Sequence, residues 1–360
     1  MRHKVQHTQS ASETPTLYIG LDVHKLSVNV TVYDCDRRQR KAHVPMQELE
    51  AYVDGIQKKH PHHQLVAAYE AGFCGFALQR RLTAQQVNTL VVNAADIPTT
   101  DKDRTTKTDR ADSAKIANAL RSGLLRGIWI PSEELEGDRE LVRDRQKIRR
   151  ELNSAKSTLK MRLHKHGITI PARFDNSSWS EAFRQWLAEQ QLESASAQHA
   201  FNLLLSEYDH RRERYRLHVA TLGELAASPR YAHTMQLLTS IPGIGQLTGI
   251  SLATEIGPID RFASANHLAS YVGLVPMQHQ SGASNRQMPI QRRAQADLRF
   301  MLIQCAWSSI RTDTHFADLY KRKRASKPAQ KAIVAVARRL LNTVFAILKN
   351  QEPYCLSKQE

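Results

Sequence analysis

Hydrophobic and polar positions divide the chain into a strand-rich first third and a helix-rich remainder. Leu17 to Lys25 (LYIGLDVHK) is an apolar, partly β-branched run with one carboxylate, Asp22, set into it. Leu26 to Tyr33 (LSVNVTVY) alternates with period two and predicts a second strand. A charged turn, Asp34 to Arg40, precedes an expected third strand through His43-Val44-Pro45. Gln47 to Lys59 reads as a helix with Leu49, Val53 and Ile56 on one side. Gln64 to Tyr69 predicts a fourth strand, with Glu70 at its end. The Gly72-Phe73-Cys74-Gly75 turn leads to a helix through Leu82, and Val87 to Asn93 predicts a fifth strand. This βββαβαβ order implies a mixed sheet flanked by helices.

The segment Asp101 to Asp112 opens a predicted helix running to about Leu125. Asp109 and Asp112 are three residues apart and share a face. Ile116, Leu120 and Leu124 continue that face, so the two carboxylates are expected to point inward rather than to serve as plain caps. Beyond Glu133 the composition turns to Glu, Arg, Lys, Gln, Leu and Ala. Two long helices are expected, 137–166 and 197–226, with a break at 167–176. Leu141, Ile148, Leu152 and Leu159 form a heptad-like seam that suits a coiled-coil arm, a dimerisation element or a hairpin within the chain. In Leu237 to Gly257 a Pro-Gly-Ile-Gly turn between helices resembles a helix–hairpin–helix, where Gly243 and Gly245 would let backbone N–H groups approach a phosphate. A polar loop is expected from Met277 to Pro289. Lys331 to Lys349 is amphipathic, with Ile333, Val336, Leu340, Val344 and Ile347 inward.

Charge sharpens the picture. The 360 residues carry a formal charge of +16, with a pI near 9.8, which points to a polyanionic partner. From Arg286 to Lys349 there are 14 Lys or Arg against 3 acids. Arg286, Arg292, Arg293, Arg299, Lys321, Arg322, Lys323 and Arg324 are the candidates for tracking a phosphate backbone. Cys35, Cys74, Cys305 and Cys355 are scattered, which excludes a zinc knuckle or disulfide framework and fits a reducing cytoplasm. The N-terminal stretch has no apolar core, and no run is long enough to span a membrane.

Asp22, Glu70, Asp109 and Asp112 can be read as one constellation: a strand acid, a strand-end acid and two acids on a helix leaning on the sheet. Four such carboxylates form an oxygen-rich cage suited to Mg²⁺ or Mn²⁺. Two metals about 3.5–4 Å apart would clamp the attacking and leaving oxygens of a phosphodiester exchange. The order suggests an α/β RNase H-like fold of the RuvC type. A water-using endonuclease would need the same acids, and a non-catalytic nucleic-acid-binding remnant would need none of them. An actin-like ATPase lacks its glycine-rich phosphate loops here.

At this point the chain resembles a family. YIGLDVHK, YEAGF and KTDRADSAKIA are similar to the DEDD transposases of bacterial insertion sequences, in the one-ten and eleven-eleven groups described as bridge-RNA-guided recombinases. The stretch LLTSIPGIGQLTGISLATEIGPIDRFASANHLASYVGLVP and the following Ser-Gly agree. The resemblance implies Mg²⁺ held by Asp22, Glu70, Asp109 and Asp112. It implies Ser281 as the nucleophile, with Ser284 as the alternative, forming a phosphoserine link to DNA. DNA, a guide RNA and further copies of the chain, as dimer or tetramer, are the implied partners, with action at the bacterial nucleoid. The expected organisation is a tail (1–15), a RuvC-like domain (16–130), a helical coiled-coil linker (131–230), a mostly α-helical transposase domain (231–350) and a tail (351–360). Where the family pattern has glycines after the serine, this chain has Pro289 and Ala294, which puts the loop geometry near Ser281 in question.

Overall fold

The computed structural model describes residues 14–34, 39–98, 109–176, 178–281, 284–290 and 295–355. It separates into two compact units, Met1–Ile130 and Pro131–Glu360.

The first unit is built on a five-stranded sheet of order β3-β2-β1-β4-β5. The strands are β1 (Thr16–Val23), β2 (Ser27–Tyr33), β3 (Gln39–Pro45), β4 (Gln64–Glu70) and β5 (Asn88–Val92). β1, β2 and β3 pair antiparallel, whereas β4 runs parallel to both β1 and β5. The sheet is therefore mixed, because a hairpin meander enters it before the two helical crossovers. β1 stops at Val23 and the chain turns through His24 to Leu26, so Leu26 is exposed rather than part of a strand. β3 starts at Gln39, earlier than its apolar content foretells, since pairing with β2 recruits the polar residues Gln39 to Lys41.

Period-two alternation gives the sheet two packed faces. Leu17, Ile19, Leu21, Leu65, Ala67 and Tyr69 pack on one side with α1 (Leu49–Lys59) and α2 (Ala77–Ala84). Val66, Ala68, Leu90 and Val92 lie on the other, under Ile116, Ala119 and Leu120 of α3 (Asp109–Arg121). Leu124 does not continue the apolar stripe. The helix ends at Arg121, the chain turns through Gly123 in the left-handed region, and Leu124 faces solvent.

The second unit is helical. α4 (Glu133–Lys165) and α6 (Ala195–Ala227) are long partners flanking α5 (Glu181–Ala188). The heptad-like seam is satisfied within the chain: Leu152, Ala155, Leu159 and Leu163 pack with Phe201, Leu205 and Tyr208. Further along, Val142, Leu222 and Ala226 join the core formed by α7 (Pro229–Thr239), α8 (Gln246–Ile256), α9 (Ala265–Val272), α10 (Ala296–Thr312), α11 (Thr314–Arg324) and α12 (Ala329–Asn350). All five apolar positions expected to face inward on α12 are buried. The stretch expected to be a polar loop is instead a hairpin, β6 (Pro276–Ser281) and β7 (Ser284–Ile290). Its polar residues hid the strands from an apolar alternation test, and backbone pairing holds them. Among the described residues no helix is long and apolar enough to cross a membrane.

Candidate active site

The site begins with a glycine. Gly20 lies beneath α3, and a Cβ at that position would sit 2.0 Å from the Ser113 carbonyl oxygen and 2.5 Å from the Ala117 nitrogen. The missing side chain is what lets α3 lie flat on β1. Thr31, opposite Gly20 on β2, hydrogen-bonds the Ser113 hydroxyl at 2.8 Å. At the other end of the helix the Arg121 guanidinium stands over the Tyr33 ring at 5.8 Å. These two contacts set the helix direction: its N-terminal turn lies toward the end of the sheet where β1 and β4 finish.

Both sheet acids emerge at that end. Asp22 follows Gly20 by two residues and Glu70 follows Ala68 by two, so both fall on the α3 face. The parallel register pairs Leu21 with Tyr69, which sets Asp22 and Glu70 one step further along neighbouring strands. Glu70 is exposed and Asp22 half-buried. Asp112 sits in the first turn of α3 and pairs with Lys115 at 3.1 Å, 30% exposed rather than fully turned in. Asp109 opens the same helix four residues before Ser113, and its side chain lies outside the described residues. Among the described residues no group of three or more His, Cys, Asp or Glu stands close enough to hold a metal ion. Thus the backbone brings the carrying positions to one end and one face of the sheet, and the fourth carboxylate is beyond description.

A polar row that the apolar pattern did not single out surrounds Asp22. Across β1, β2 and β3 the register aligns Asp22, Asn29 and His43. Asn29 Nδ2 donates to Asp22 Oδ2 at 3.3 Å, and His43 Nδ1 meets Asn29 Oδ1 at 2.9 Å. His24 Nε2 lies 3.1 Å from the same Asp22 Oδ2. The available signal was Asn29 and Thr31 alternating with Val28, Val30 and Val32, which marks one face of β2 as polar although it is buried.

In the second unit the backbone register sets Ser281 opposite Ser284 at the tip of the β6–β7 hairpin. The side chains of Ser281, Ser284, Arg286 and Pro289, and residues Arg292, Arg293 and Ala294 entirely, lie outside the described residues. Gly243 is packed inward, where a Cβ would meet Ser309 Oγ at 2.5 Å and the Cys305 carbonyl at 2.6 Å. With φ +91° it serves the turn and the contact with α10. Gly245, at the start of α8, has open space around it. Arg299 is half-buried and donates to the Gly273 carbonyl at 3.4 Å. Lys321, Arg322 and Arg324 are exposed in the last turn of α11, a favourable end for cations. Lys323 is half-buried there.

Two transposase family profiles match the chain. Residues 19–167 match the family profile of DEDD transposases of IS110 elements, and residues 235–321 match that of the IS116/IS110/IS902 transposase family. The chain is similar to the transposase for insertion sequence element IS1533 of Leptospira borgpetersenii, with 26% identity over 245 residues, 67% of this chain and 69% of that protein. It is also similar to the transposase for insertion sequence element IS1111A of Coxiella burnetii, 26% identical over 259 residues, 70% of this chain and 69% of the relative. Over a shorter stretch of 130 residues it is 37% identical to the pilin gene-inverting protein of Moraxella bovis, covering 35% of this chain and 40% of that one.

Proposed function

We propose, for a chain that belongs to the IS110/IS116/IS902 family of insertion-sequence transposases, that it cuts and rejoins DNA with a divalent cation at Asp22, Glu70, Asp109 and Asp112 and with Ser281 as nucleophile. The observation that carries the reading is the convergence of β1, β4 and the N-terminal turn of α3 at one end of one sheet face. The strand order supports an RNase H-like frame of the RuvC type. The donor set is oxygen-rich, and among the described residues Asp22 Oδ1 accepts no hydrogen bond, so the residues present fit a hard cation such as Mg²⁺ or Mn²⁺. When bound, such a cation supplies charge neutralisation at phosphate oxygens.

The protein's own share of the chemistry is nucleophilic. Ser281 Oγ bonds to the DNA phosphorus as the phosphorus–oxygen bond to the sugar breaks. The serine proton goes to a base and the leaving sugar oxygen takes up another. The ester keeps the bond energy, so attack by a sugar hydroxyl on phosphoserine rejoins a strand without ATP. The Moraxella relative is named for inverting a gene, an outcome that requires such rejoining. The exposed cations of α11 and the net charge suit DNA and a guide RNA as partners. RNA guidance, assembly into oligomers and a cytoplasmic site of action belong to the same proposal.

The test is a cleavage reaction with full-length protein, insertion-sequence ends and Mg²⁺, resolved on a denaturing gel. A protein–DNA band is expected, lost in both Ser281→Ala and Asp22→Ala. Rejoining that survives Ser281→Ala removes the serine. Cutting that survives without a linked band replaces it with water.

A further inference from the structure

We propose that Asn29 is a positioning residue for the Asp22 carboxylate, and that His43 sets the orientation in which Asn29 acts. This rests on the reading of Asp22 as a cation ligand. The three residues stand side by side on successive antiparallel strands, an arrangement imposed by register rather than by flexible loops.

The hydrogen bonds have a direction. A primary amide presents a donor on one arm and an acceptor on the other. Asn29 turns Nδ2 to Asp22 Oδ2 and Oδ1 to His43 Nδ1. Flipping the amide would place its carbonyl oxygen against the carboxylate, lone pair against lone pair. His43 prevents the flip by donating from Nδ1 to Oδ1, so the chain of donation runs from His43 through Asn29 to Asp22. Asn29 is buried at 6% exposure, where an unsatisfied amide arm is costly.

The effect falls on one oxygen. Asn29 and His24 both engage Oδ2, and among the described residues Oδ1 accepts nothing. Rotating the carboxylate would break both contacts. Asp22 is therefore held by Oδ2 to Asn29 and His24, which leaves Oδ1 for the cation. Outer groups that fix a ligand's orientation in this way alter metal affinity about 10–100-fold when removed.

The experiment measures Mn²⁺ binding to the full-length protein by electron paramagnetic resonance without DNA, alongside melting temperature. Asn29→Leu keeps the volume and removes both arms, and is expected to weaken Mn²⁺ binding about tenfold or more. His43 is exposed on edge strand β3, so His43→Phe folds, and it is expected to weaken binding in the same direction. His43→Asn puts an amide nitrogen where Nδ1 was and restores the affinity. Asp22→Ala separates the two readings. Equal Mn²⁺ affinity in wild type and Asp22→Ala overturns the cation site and this inference with it. A site lost in Asp22→Ala but unchanged in folded Asn29→Leu overturns the inference alone. Should Asn29→Leu fail to fold, equal affinities for wild type, His43→Phe and His43→Asn overturn it.

Discussion

Carboxylates are treated differently in the two units. In the helical unit the buried ones are closed off. Glu255 is buried, and Arg143 takes both of its oxygens, at 2.6 and 2.9 Å. Its backbone carbonyl, with those of Thr254 and Ile256, receives Arg139 and Arg261, so guanidinium groups gather at the C-terminal end of α8 where the helix dipole favours them. Asp138 is likewise held at both oxygens, by Arg230 at 2.9 Å and the Tyr231 hydroxyl at 2.6 Å. Burial, together with that hydrogen bond to Asp138, pushes the Tyr231 phenol well above its usual range. In the sheet unit, among the described residues, Asp22 is engaged on one oxygen and Glu70 is exposed at a strand end. A carboxylate with both oxygens bound stabilises a fold, whereas one with a free oxygen at the rim of a sheet is available for chemistry.

The widest separation is expected between Asp22→Ala and Glu255→Ala. Asp22→Ala should lower strand cutting and joining by about a thousandfold or more, because several kcal/mol of charge stabilisation at the phosphate would rest on the proposed cation site. Its melting temperature should fall only modestly, since the residue is half-buried and the freed Asn29 Nδ2 still lies 3.4 Å from His24 Nε2. Glu255→Ala should do the reverse: a lowered melting temperature, and activity per folded molecule retained. Comparable activity losses in both variants would erase the distinction.

Gly20→Ala tests how the open site is assembled. The added methyl group would meet backbone atoms of α3, which cannot yield as a side chain can. A destabilisation of about 3 kcal/mol is expected in denaturant melts. Gly249→Ala is the control in the other unit, since there the Cβ meets the flexible Met235 side chain, and its cost should be well under half as large. Arg143→Ala comes next, at about 2 kcal/mol, because the buried Glu255 carboxylate would lose both Arg143 bonds and be left with the longer one from the Tyr271 hydroxyl, at 3.5 Å.

The frame of the sheet was legible because its signal is apolar periodicity. Ile19 and Leu21 inward, Val28 to Val32 alternating, and Leu65 to Tyr69 as a buried run all survive into the structure. What the pattern could not supply was the polar row. Asn29 and Thr31 are buried polar residues, and their partners, His43 and Ser113, are 14 and 82 residues away. Pairings at that separation are set by register and by the helix Gly20 admits. The β6–β7 hairpin escaped notice for a related reason: Gln278, His279 and Gln280 have no apolar alternation, and only the backbone reveals the strand. The heptad seam was legible as a seam but not as to its partner, because a helix of the same chain and one of another copy present the same chemistry.

The smallest effect is expected at Tyr354, and its value lies in its sign. Its hydroxyl donates to Asp313 Oδ2 at 2.9 Å, while Asp313 Oδ1 caps α11 by accepting from the His315 and Phe316 nitrogens. Here again both oxygens of a buried carboxylate are engaged. Burial, then the hydrogen bond to Asp313, pushes the Tyr354 phenol from 10.0 up to about 12. The folded state therefore holds this proton more tightly than the unfolded chain does. That contribution to stability is fully present below pH 10 and fades as pH rises from 10 toward 12. Tyr354→Phe should cost about 1 kcal/mol at neutral pH. It should also flatten part of the decline in stability above pH 10, measured as denaturant midpoints along a pH series. An identical alkaline decline in the variant would mean that Asp313 does not hold the phenol, and the pattern of fully engaged carboxylates in the helical unit would lose one of its three cases.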